Sequence, residues 1–375
     1  MIRLATSAIY VGANLIVSLL IVVLIVRTST PSQGAQFFLF QAVFFPVNAL
    51  ISQFRMQLRF RQTALGRLDF LLDIAALVLG VLLLRMVGAG MISWPDTLLF
   101  ALAIPLSYRG ATALAGLQFD KTGVAHALVP MLTALVRLGV AFVLLPYGAP
   151  IAFLGGALAF ATVPAVAAIW SAAPATATAV PAQRAELFWL LAFFAITGFT
   201  FQWDRYLLST LDLQSLIIIS GVCMTWVLGP ISTLFAVIYR ADARQIFAHD
   251  REAFDRRGFL RRAGLFCGAV LGYAALVAML WTPLNAVAFP RVQASVALPL
   301  ILIVAVMLDR VGLLFLYMSN AVANYRAAFI AKAVIMTAAI CLSLFGPWDI
   351  SLMLVFVTYA LSALVFAVLM GAIRR

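Results

Sequence analysis

Apolar stretches of about twenty residues recur along this chain, with only short polar segments between them. A stretch of this length crosses a bilayer as a helix, because the hydrocarbon core is roughly 30 Å thick and a helix rises about 1.5 Å per residue. The composition agrees, since 65% of the 375 residues are hydrophobic and only 10% are charged. Backbone polar groups in lipid must be satisfied within the protein. The sequence therefore predicts an all-α integral membrane protein.

The apolar stretches between charge clusters predict twelve transmembrane helices. No connection is long enough to form a soluble domain. The first stretch lacks a small-residue cleavage site, so we expect a retained helix rather than a signal peptide. The predicted spans cover residues 4–26, 35–54, 68–84, 97–117, 124–145, 150–170, 187–208, 215–238, 263–282, 297–317, 327–345 and 350–370.

Basic residues are distributed unequally between the two sides of the predicted membrane. With a cytoplasmic N-terminus, seventeen Lys and Arg residues lie on the inner side and four on the outer side. This asymmetry follows the positive-inside rule and predicts that both termini are cytoplasmic. Topology and anionic lipid explain the net charge of +12 more simply than nucleic acid does.

The chain divides into two related halves. The Pro/Ala/Thr-rich segment 171–186 follows six predicted spans and precedes six others. Pro46 and Pro230 occupy similar positions in the second and eighth spans, and Arg109 and Arg310 are each the thirteenth residue of their spans. An even number of spans per half gives both halves the same orientation. We predict two parallel six-helix bundles, residues 1–170 and 187–375, joined by a cytoplasmic linker, 171–186.

Three arginines lie deep in predicted spans. Arg109 and Arg310 are about 20 Å from the outer face, and Arg137 is about 20 Å from the inner face. A guanidinium group stays charged and binds phosphate through a planar set of donors. We therefore predict that Arg109 and Arg310 face a central cleft and bind an anionic headgroup, and that Arg137 extends the same surface. The alternative is that each forms an interhelical salt bridge or hydrogen bond.

Asp73, Asp204 and Asp309 are the acidic residues placed inside spans, so coupling to protons or sodium through carboxylates would use them. For Asp73 we expect solvation at the helix end or pairing with Arg67. Adjacent helical residues point about 100° apart, so the partner of Asp309 is expected on another helix or to be an ion rather than Arg310.

Asp204 and Arg205 stand side by side near the outer end of the seventh span. A charge in hydrocarbon costs at least about 2.5 to 3.5 kcal/mol, so we expect both to face a bundle interior or a water-filled cavity. Lys332, about 9 Å from the inner face, is expected to snorkel. The chain has only two histidines, and its three cysteines lie in apolar spans, so it predicts neither a metal site nor catalytic residues.

Several of these features resemble polysaccharide flippases of the O-antigen type, in the multidrug/oligosaccharidyl-lipid/polysaccharide (MOP) exporter superfamily. The opening LIVRTSTPSQGAQFFLFQAV is similar to their first two spans, and WDRYLLSTLDLQSLIIISGVCM looks like the start of their second half. The six-plus-six layout and the basic inner loop after the eighth span also agree. The resemblance implies a MATE-like fold, in which two bundles flank a positively charged cavity that opens alternately to each side.

The resemblance also implies a function. The protein would flip a polyprenyl-pyrophosphate-linked oligosaccharide across the bacterial inner membrane, without a cofactor other than a coupling H⁺ or Na⁺. Its partners would be this lipid, membrane lipids and other glycan-assembly proteins, but not nucleic acid. The substrate-binding residues would be Arg109, Arg310, Arg137 and Arg205.

Two other functions stay open at this point. A cation-coupled drug or metabolite antiporter of the same superfamily would use Asp73 or Asp309 rather than arginines. A membrane-embedded glycan polymerase, ligase or acyltransferase is less favoured, because the outer loops are short and lack histidine. We therefore predict that the protein is not an enzyme. A scaffold in a glycan-synthesis complex is also compatible with the sequence.

Overall fold

The structure is a computed structural model that describes the chain except for residues 1, 61–66, 89, 121–123, 171–183, 212, 242–253, 291–293, 320–321, 345–350 and 373–375. The described part is almost entirely helical and contains no strand. A short 3-10 helix, Leu145–Tyr147, connects two of the α-helices. The α-helices are α1 (Ile2–Thr28), α2 (Pro31–Phe60), α3 (Arg67–Gly88), α4 (Trp94–Asp120), α5 (Val124–Leu144), α6 (Ala149–Trp170), α7 (Arg184–Phe199), α8 (Trp203–Thr210), α9 (Gln214–Ala241), α10 (Arg256–Ala288), α11 (Ala297–Ser319), α12 (Val322–Leu344) and α13 (Ser351–Ala372).

The helices have the lengths and surfaces of membrane spans. Eight helices in the described part are long and apolar enough to cross a bilayer, and three shorter helical stretches are also apolar. In the most apolar stretches of α3, α5 and α10, only 22% of the residues are buried, so large apolar side chains cover their outer faces. Such surfaces are stable in lipid and not in water. The predicted multi-pass membrane protein is confirmed, whereas the count of twelve spans stays a prediction.

The predicted seventh span, residues 187–208, is not one continuous helix. α7 ends at Phe199, and α8 begins at Trp203. The Thr200 hydroxyl donates to the Ile196 carbonyl at 2.9 Å, and the backbone N–H of Gln202 donates to the Phe199 carbonyl at 3.0 Å. These bonds satisfy backbone groups where the regular helix stops. The break places Asp204 in the first turn of α8, where a negative charge complements the helix dipole.

The chain forms two compact units. The N-terminal bundle consists of Met1–Ala182 and Arg205–Gln214, and the C-terminal bundle consists of Gln183–Asp204 and Ser215–Arg375. The division therefore falls between Asp204 and Arg205, so that α7 and most of α8 belong to different units. The predicted domain limits at 170 and 187 stay a prediction, since residues 171–183 of the predicted linker lie outside the described residues.

Four corresponding helix pairs pack together inside each bundle. In the N-terminal bundle, α4 packs on α6, α5 on α6, α1 on α5 and α3 on α4. In the C-terminal bundle, α11 packs on α13, α12 on α13, α7 on α12 and α10 on α11. Counted by predicted span, these are the fourth and sixth, fifth and sixth, first and fifth, and third and fourth of each half. This correspondence supports a duplicated six-helix unit.

A glycine beside an intramembrane arginine allows the closest of these contacts in each bundle. A Cβ atom at Gly110 would lie 2.6 Å from Phe160 Cδ1 and closer still to the Phe160 carbonyl on α6. A Cβ atom at Gly312 would lie 2.6 Å from Phe366 Cε1 on α13. Both positions therefore need glycine for helix-to-helix approach rather than for backbone conformation. At Gly110 the obstacle is backbone, and at Gly312 it is mainly an aromatic ring.

We predict that Gly110→Ala destabilises the protein more than Gly312→Ala does. A ring can rotate or shift, whereas relieving a clash with a carbonyl requires two helices to separate, and overpacking of this kind costs about 1–3 kcal/mol. The measurement is thermal unfolding of the purified protein in detergent. Gly139→Ala is the matched control, because a Cβ atom there would meet nothing within 4 Å. A Gly110→Ala protein as stable as the Gly312→Ala or the Gly139→Ala protein would contradict the prediction.

Candidate functional site

A carboxylate in the N-terminal bundle joins three helices. Asp73 on α3 accepts a hydrogen bond from Arg55 of α2 at 3.1 Å, and it also accepts hydrogen bonds from Tyr108 and Arg109 of α4. The Arg55 guanidinium lies over the Tyr108 ring, 4.5 Å from its centroid. Both carboxylate oxygens therefore have donors. With two arginines and one aspartate, this Asp73 cluster has a formal net charge of +1.

The Asp73 cluster differs from the environment expected for its residues. Asp73 is only 14% exposed and pairs with Arg55 and Arg109, so the expected solvation at the helix end is wrong. Arg109 makes the interhelical salt bridge that was the alternative to a free guanidinium in a cavity. Its side chain is nevertheless 53% exposed, so part of the guanidinium remains accessible. Substrate binding by Arg109 stays a prediction.

A second carboxylate joins helices in the C-terminal bundle. Asp309 on α11 accepts a hydrogen bond from Lys332 of α12 at 2.7 Å, and Lys332 also donates to the Thr197 hydroxyl of α7 at 3.3 Å. Arg310 Nη1 lies 3.7 Å from Asp309 Oδ2, and Arg310 Nη2 donates to the Ser232 hydroxyl at 3.3 Å. One aspartate and two basic residues give this Asp309 cluster a formal net charge of +1.

Lys332 does not snorkel to the inner face, and that expectation is wrong. Its side chain is 3% exposed and points to Asp309, while its ammonium group lies 4.6 Å from the centroid of the Phe366 ring. Compensation by a carboxylate and an aromatic ring replaces contact with water. The partner of Asp309 is on another helix, as expected. The loose contact with the adjacent Arg310 was not expected.

Asp204 and Arg205 are both buried, as predicted for charges near the end of the seventh span. Asp204 is 1% exposed and Arg205 is 0% exposed. Asp204 accepts hydrogen bonds from Ser220 of α9 and, at 2.9 Å, from Tyr359 of α13. These hydroxyl groups bind the carboxylate without adding charge. The binding of substrate by Arg205 and of a coupling ion by Asp204 stays a prediction.

Arg137 on α5 lies in a third kind of site, in which the charged group has neutral partners. Its guanidinium donates to the Ser18 hydroxyl of α1 at 3.2 Å and lies 5.6 Å from the centroid of the Phe160 ring. Among the described residues, no carboxylate lies within 4 Å of it. The same part of the chain contains no group of three or more His, Cys, Asp and Glu residues that could hold a metal ion.

Comparison with solved structures identifies the fold of this chain. Neither a protein-family profile nor a curated protein sequence matches the chain. Solved structures match nearly all of it. The eukaryotic MATE transporter AtDTX14 is 13% identical with a TM-score of 0.61, and the match covers 99% of this chain and 94% of that one. A MATE protein in complex with MaL6 is 11% identical with a TM-score of 0.62, over 100% and 95% of the two chains. This chain has a MATE-type fold.

A further structure with the MATE-type fold is a MOP superfamily transporter from Pyrococcus furiosus. It is 12% identical with a TM-score of 0.54, and the match covers 100% of this chain and 94% of that one. That protein is described as having a binding pocket of reversed polarity, which suggests a different function. The predicted MATE/MOP-like fold is thus confirmed, while identities this low carry no substrate from one protein to another.

Sequence reasoning missed the neutral partners of the buried charges. Tyr108 and Tyr359 donate to aspartates, and Ser18, Thr197 and Ser232 accept from basic groups. The available signal was a hydroxyl residue inside an apolar span. That signal is weak, because serine and threonine hydroxyls also bond to the preceding turn of their own helix, as several do here.

We predict that Asp309→Asn destabilises the C-terminal bundle more than Lys332→Met does. Asparagine would leave two cations without a carboxylate, whereas loss of the lysine leaves Asp309 with Arg310. Breaking a buried ion pair by removing one partner costs about 3–5 kcal/mol. The double variant is expected to be more stable than Asp309→Asn alone, as measured by thermal unfolding in detergent. A double variant less stable than either single variant would be inconsistent with this pairing.

Proposed function

We propose that this protein is a cation-coupled antiporter that moves a small organic molecule across the membrane by alternating access. The observation that carries the proposal is the state of Asp309. Its Oδ2 atom is buried and accepts no hydrogen bond from any described residue, while its Oδ1 atom is held by Lys332. A buried carboxylate oxygen of this kind is a position where a proton or a sodium ion can bind.

The other two intramembrane carboxylates are less suited to this role. Both oxygens of Asp73 accept hydrogen bonds, two of them from arginines. Both oxygens of Asp204 accept hydrogen bonds from hydroxyl groups. A coupling ion at either site would have to displace an existing donor. Asp309 is therefore our candidate for coupling, while coupling through Asp73 or Asp204 stays a prediction.

Protonation of Asp309 would change the charge that surrounds it. The cluster would go from +1 to +2, because Lys332 and Arg310 would lose their counter-charge. Two cations freed in a low-dielectric interior either move apart or attract an anion. Ion binding thus favours a different arrangement of α7, α11 and α12, which is what antiport by alternating access requires.

The charge of the two clusters bears on the substrate class. Each has two basic groups for one carboxylate, and Arg109 is half exposed. Apart from the coupling ion, which the carboxylate oxygen of Asp309 would bind directly, a positive site repels cationic compounds and favours neutral or anionic ones. Antiport of a neutral or anionic metabolite therefore fits this chain better than antiport of a cationic drug. The solved structures with the same fold are transporters, which supports transport rather than an enzymatic reaction.

We predict that Asp309→Asn uncouples transport. The wild type, reconstituted in liposomes under a pH or sodium gradient, is expected to move an anionic dye such as carboxyfluorescein faster than the cationic dye ethidium. Asp309→Asn is expected to reduce gradient-driven transport about tenfold or more, since coupling free energies of 1–3 kcal/mol correspond to 5–150-fold effects. Asp96→Asn is the control, because this carboxylate lies in the first turn of α4 and accepts a hydrogen bond from Ser93.

Three outcomes would contradict this proposal. Gradient-driven transport of ethidium alone would be inconsistent with the proposed substrate charge. Equal coupling in the wild type and in Asp309→Asn would exclude Asp309 as the coupling residue. Transport of neither dye under any gradient would count against antiport and would favour the second candidate function.

The second candidate is a flippase for a polyprenyl-pyrophosphate-linked oligosaccharide in the bacterial inner membrane, with both termini in the cytoplasm. The accessible guanidinium of Arg109 and the +1 charge of each cluster favour it, because a pyrophosphate needs several charge-assisted donors. The lipid-linked oligosaccharide, membrane lipids and glycan-assembly proteins would be its partners.

The flippase candidate predicts a defect in glycan export when Arg310 is replaced. In a strain that depends on this protein for export, Arg310→Ala is expected to accumulate lipid-linked sugar in the cytoplasmic leaflet at least about tenfold, since a hydrogen bond to a charged group contributes about 1.5–3 kcal/mol. Arg326→Ala is the control, because this arginine is exposed and stacks on Trp189. Normal surface glycan in both variants would remove the flippase candidate.

A further inference from the structure

A mainly apolar cavity with a few polar side chains on its wall lies in the N-terminal bundle, between α1, α2, α4, α5 and α6. Its volume is about 180 Å³, and Arg137 contributes the charged group on its wall. Ser18, Gln41, Asn48 and Ser107 also line it, and the rest of the wall consists of aromatic rings of α2 and α6 and aliphatic side chains of α1 and α4. The cavity is separate from the Asp73 cluster, none of whose members lines it.

No carboxylate among the described residues compensates the charge in this cavity. Arg137 uses one of its donors on Ser18, and no carboxylate of the described chain lies within 4 Å of it. A guanidinium has five N–H donors and stays charged at any relevant pH. The bundle therefore holds a permanent positive charge with unused donors directed at a space large enough for several water-sized groups.

Two amide side chains in the same cavity are also incompletely bonded. Gln41 is 6% exposed, and its Oε1 atom has no hydrogen-bond partner in the described part of the chain. The same is true of Asn48 Oδ1. The oxygen and nitrogen of an amide are assigned rather than observed, so each group can turn its NH₂ toward the cavity. Buried polar groups normally have partners, and the oxygen of each amide lacks one in the described part of the chain.

We propose that this cavity is a binding site for a small inorganic anion, such as a halide. The Arg137 guanidinium supplies the charge, and the amides of Gln41 and Asn48 supply neutral donors. The anion compensates a charge that no carboxylate in the described part of the chain compensates. The volume of about 180 Å³ is below the range of about 300–1,000 Å³ for drug-sized ligands, so a lipid-linked sugar does not fit within it.

This site is independent of the proposed transport mechanism. It involves neither the Asp309 cluster nor a coupling cation, and it predicts a stabilising ligand whatever the substrate is. An anion bound among five helices would hold the N-terminal bundle together. Its binding is therefore measured through stability, separately from transport.

The test uses thermal unfolding of the purified full-length protein in detergent. Sodium bromide is titrated against sodium gluconate at constant ionic strength. We expect the unfolding temperature of the wild type to rise with bromide and to saturate, as it does for a ligand that binds only the folded state. Arg137→Gln is expected to weaken the apparent affinity about tenfold or more, because it removes charge-assisted hydrogen bonds.

Two further variants make the test specific. Arg326→Gln removes an exposed guanidinium and is expected to keep the bromide response of the wild type. Should Arg137→Gln fail to fold, Gln41→Leu retains the charge, removes one neutral donor, and is expected to weaken binding. Bromide soaked into crystals is expected to give an anomalous peak in this cavity beside Arg137.

Several results would overturn the proposal. These are an absence of any bromide response in the wild type, an equal response in the wild type and Arg137→Gln, and an anomalous peak only at other positions. Stabilisation by phosphatidylglycerol in gluconate, with none by bromide, would assign the site to a lipid headgroup and would also reject the free anion.

Discussion

Charges inside the bilayer need polar or charged partners, and the internal architecture of each bundle depends on this requirement. An isolated ion in hydrocarbon is too costly to keep. Asp73 is therefore bound to α2 and α4, and Asp309 is bound to α12. Each aspartate fixes the rotation and depth of its helix relative to its neighbours. Apolar packing alone, which lipid tails reproduce almost equally well, would specify these features much less strictly.

The use of neutral hydroxyl groups around the charges follows from the same requirement. A carboxylate bound only by basic groups would leave unused lone pairs, or it would need more cations than the bundle can hold. Tyr359 and Ser220 satisfy Asp204, and Tyr108 completes the bonding of Asp73, without adding charge. Arg137 lies in the opposite situation, since it has a hydroxyl partner and an aromatic ring but no described carboxylate. The net charge of each site thus depends on whether its buried charges are bound by groups of opposite charge or by neutral groups.

Much of this fold could be predicted from the sequence, because lipid forces apolar stretches of sufficient length to be helices. The similar positions of Arg109 and Arg310 also indicated a repeat, and their neighbours Gly110 and Gly312 both lie at close helix crossings. What the sequence could not provide was the identity of partners on other helices. The position of Lys332 along its own helix predicts snorkelling to the nearby inner face. The sequence does not show that Asp309 of another helix lies within hydrogen-bond distance.

The break after α7 was missed for a related reason. Two of the three residues 200–202 are polar, but single polar residues also occur inside the helices, and no proline or charge lies within this turn. The turn is stabilised by local bonds of Thr200 and Gln202 that have no signature in composition. The same limitation applies to the candidate site. Residue type and depth identified Asp309 as a candidate, but only its surroundings distinguish it from Asp73 and Asp204.

The position of α8 affects how this protein can be made. Residues Arg205–Gln214 belong to the N-terminal bundle although α7, which precedes them, belongs to the C-terminal one. The Tyr206 hydroxyl donates to the Ala42 carbonyl of α2. This contact of the N-terminal bundle can form only after α8, which follows α7 in the chain, has left the ribosome. The first bundle is therefore incomplete when α6 has been synthesised, unlike a domain that folds as soon as its own segment emerges. A gene divided between residues 171 and 183 would encode a first fragment without α8, whereas α7 and α8 would both be carried by the second.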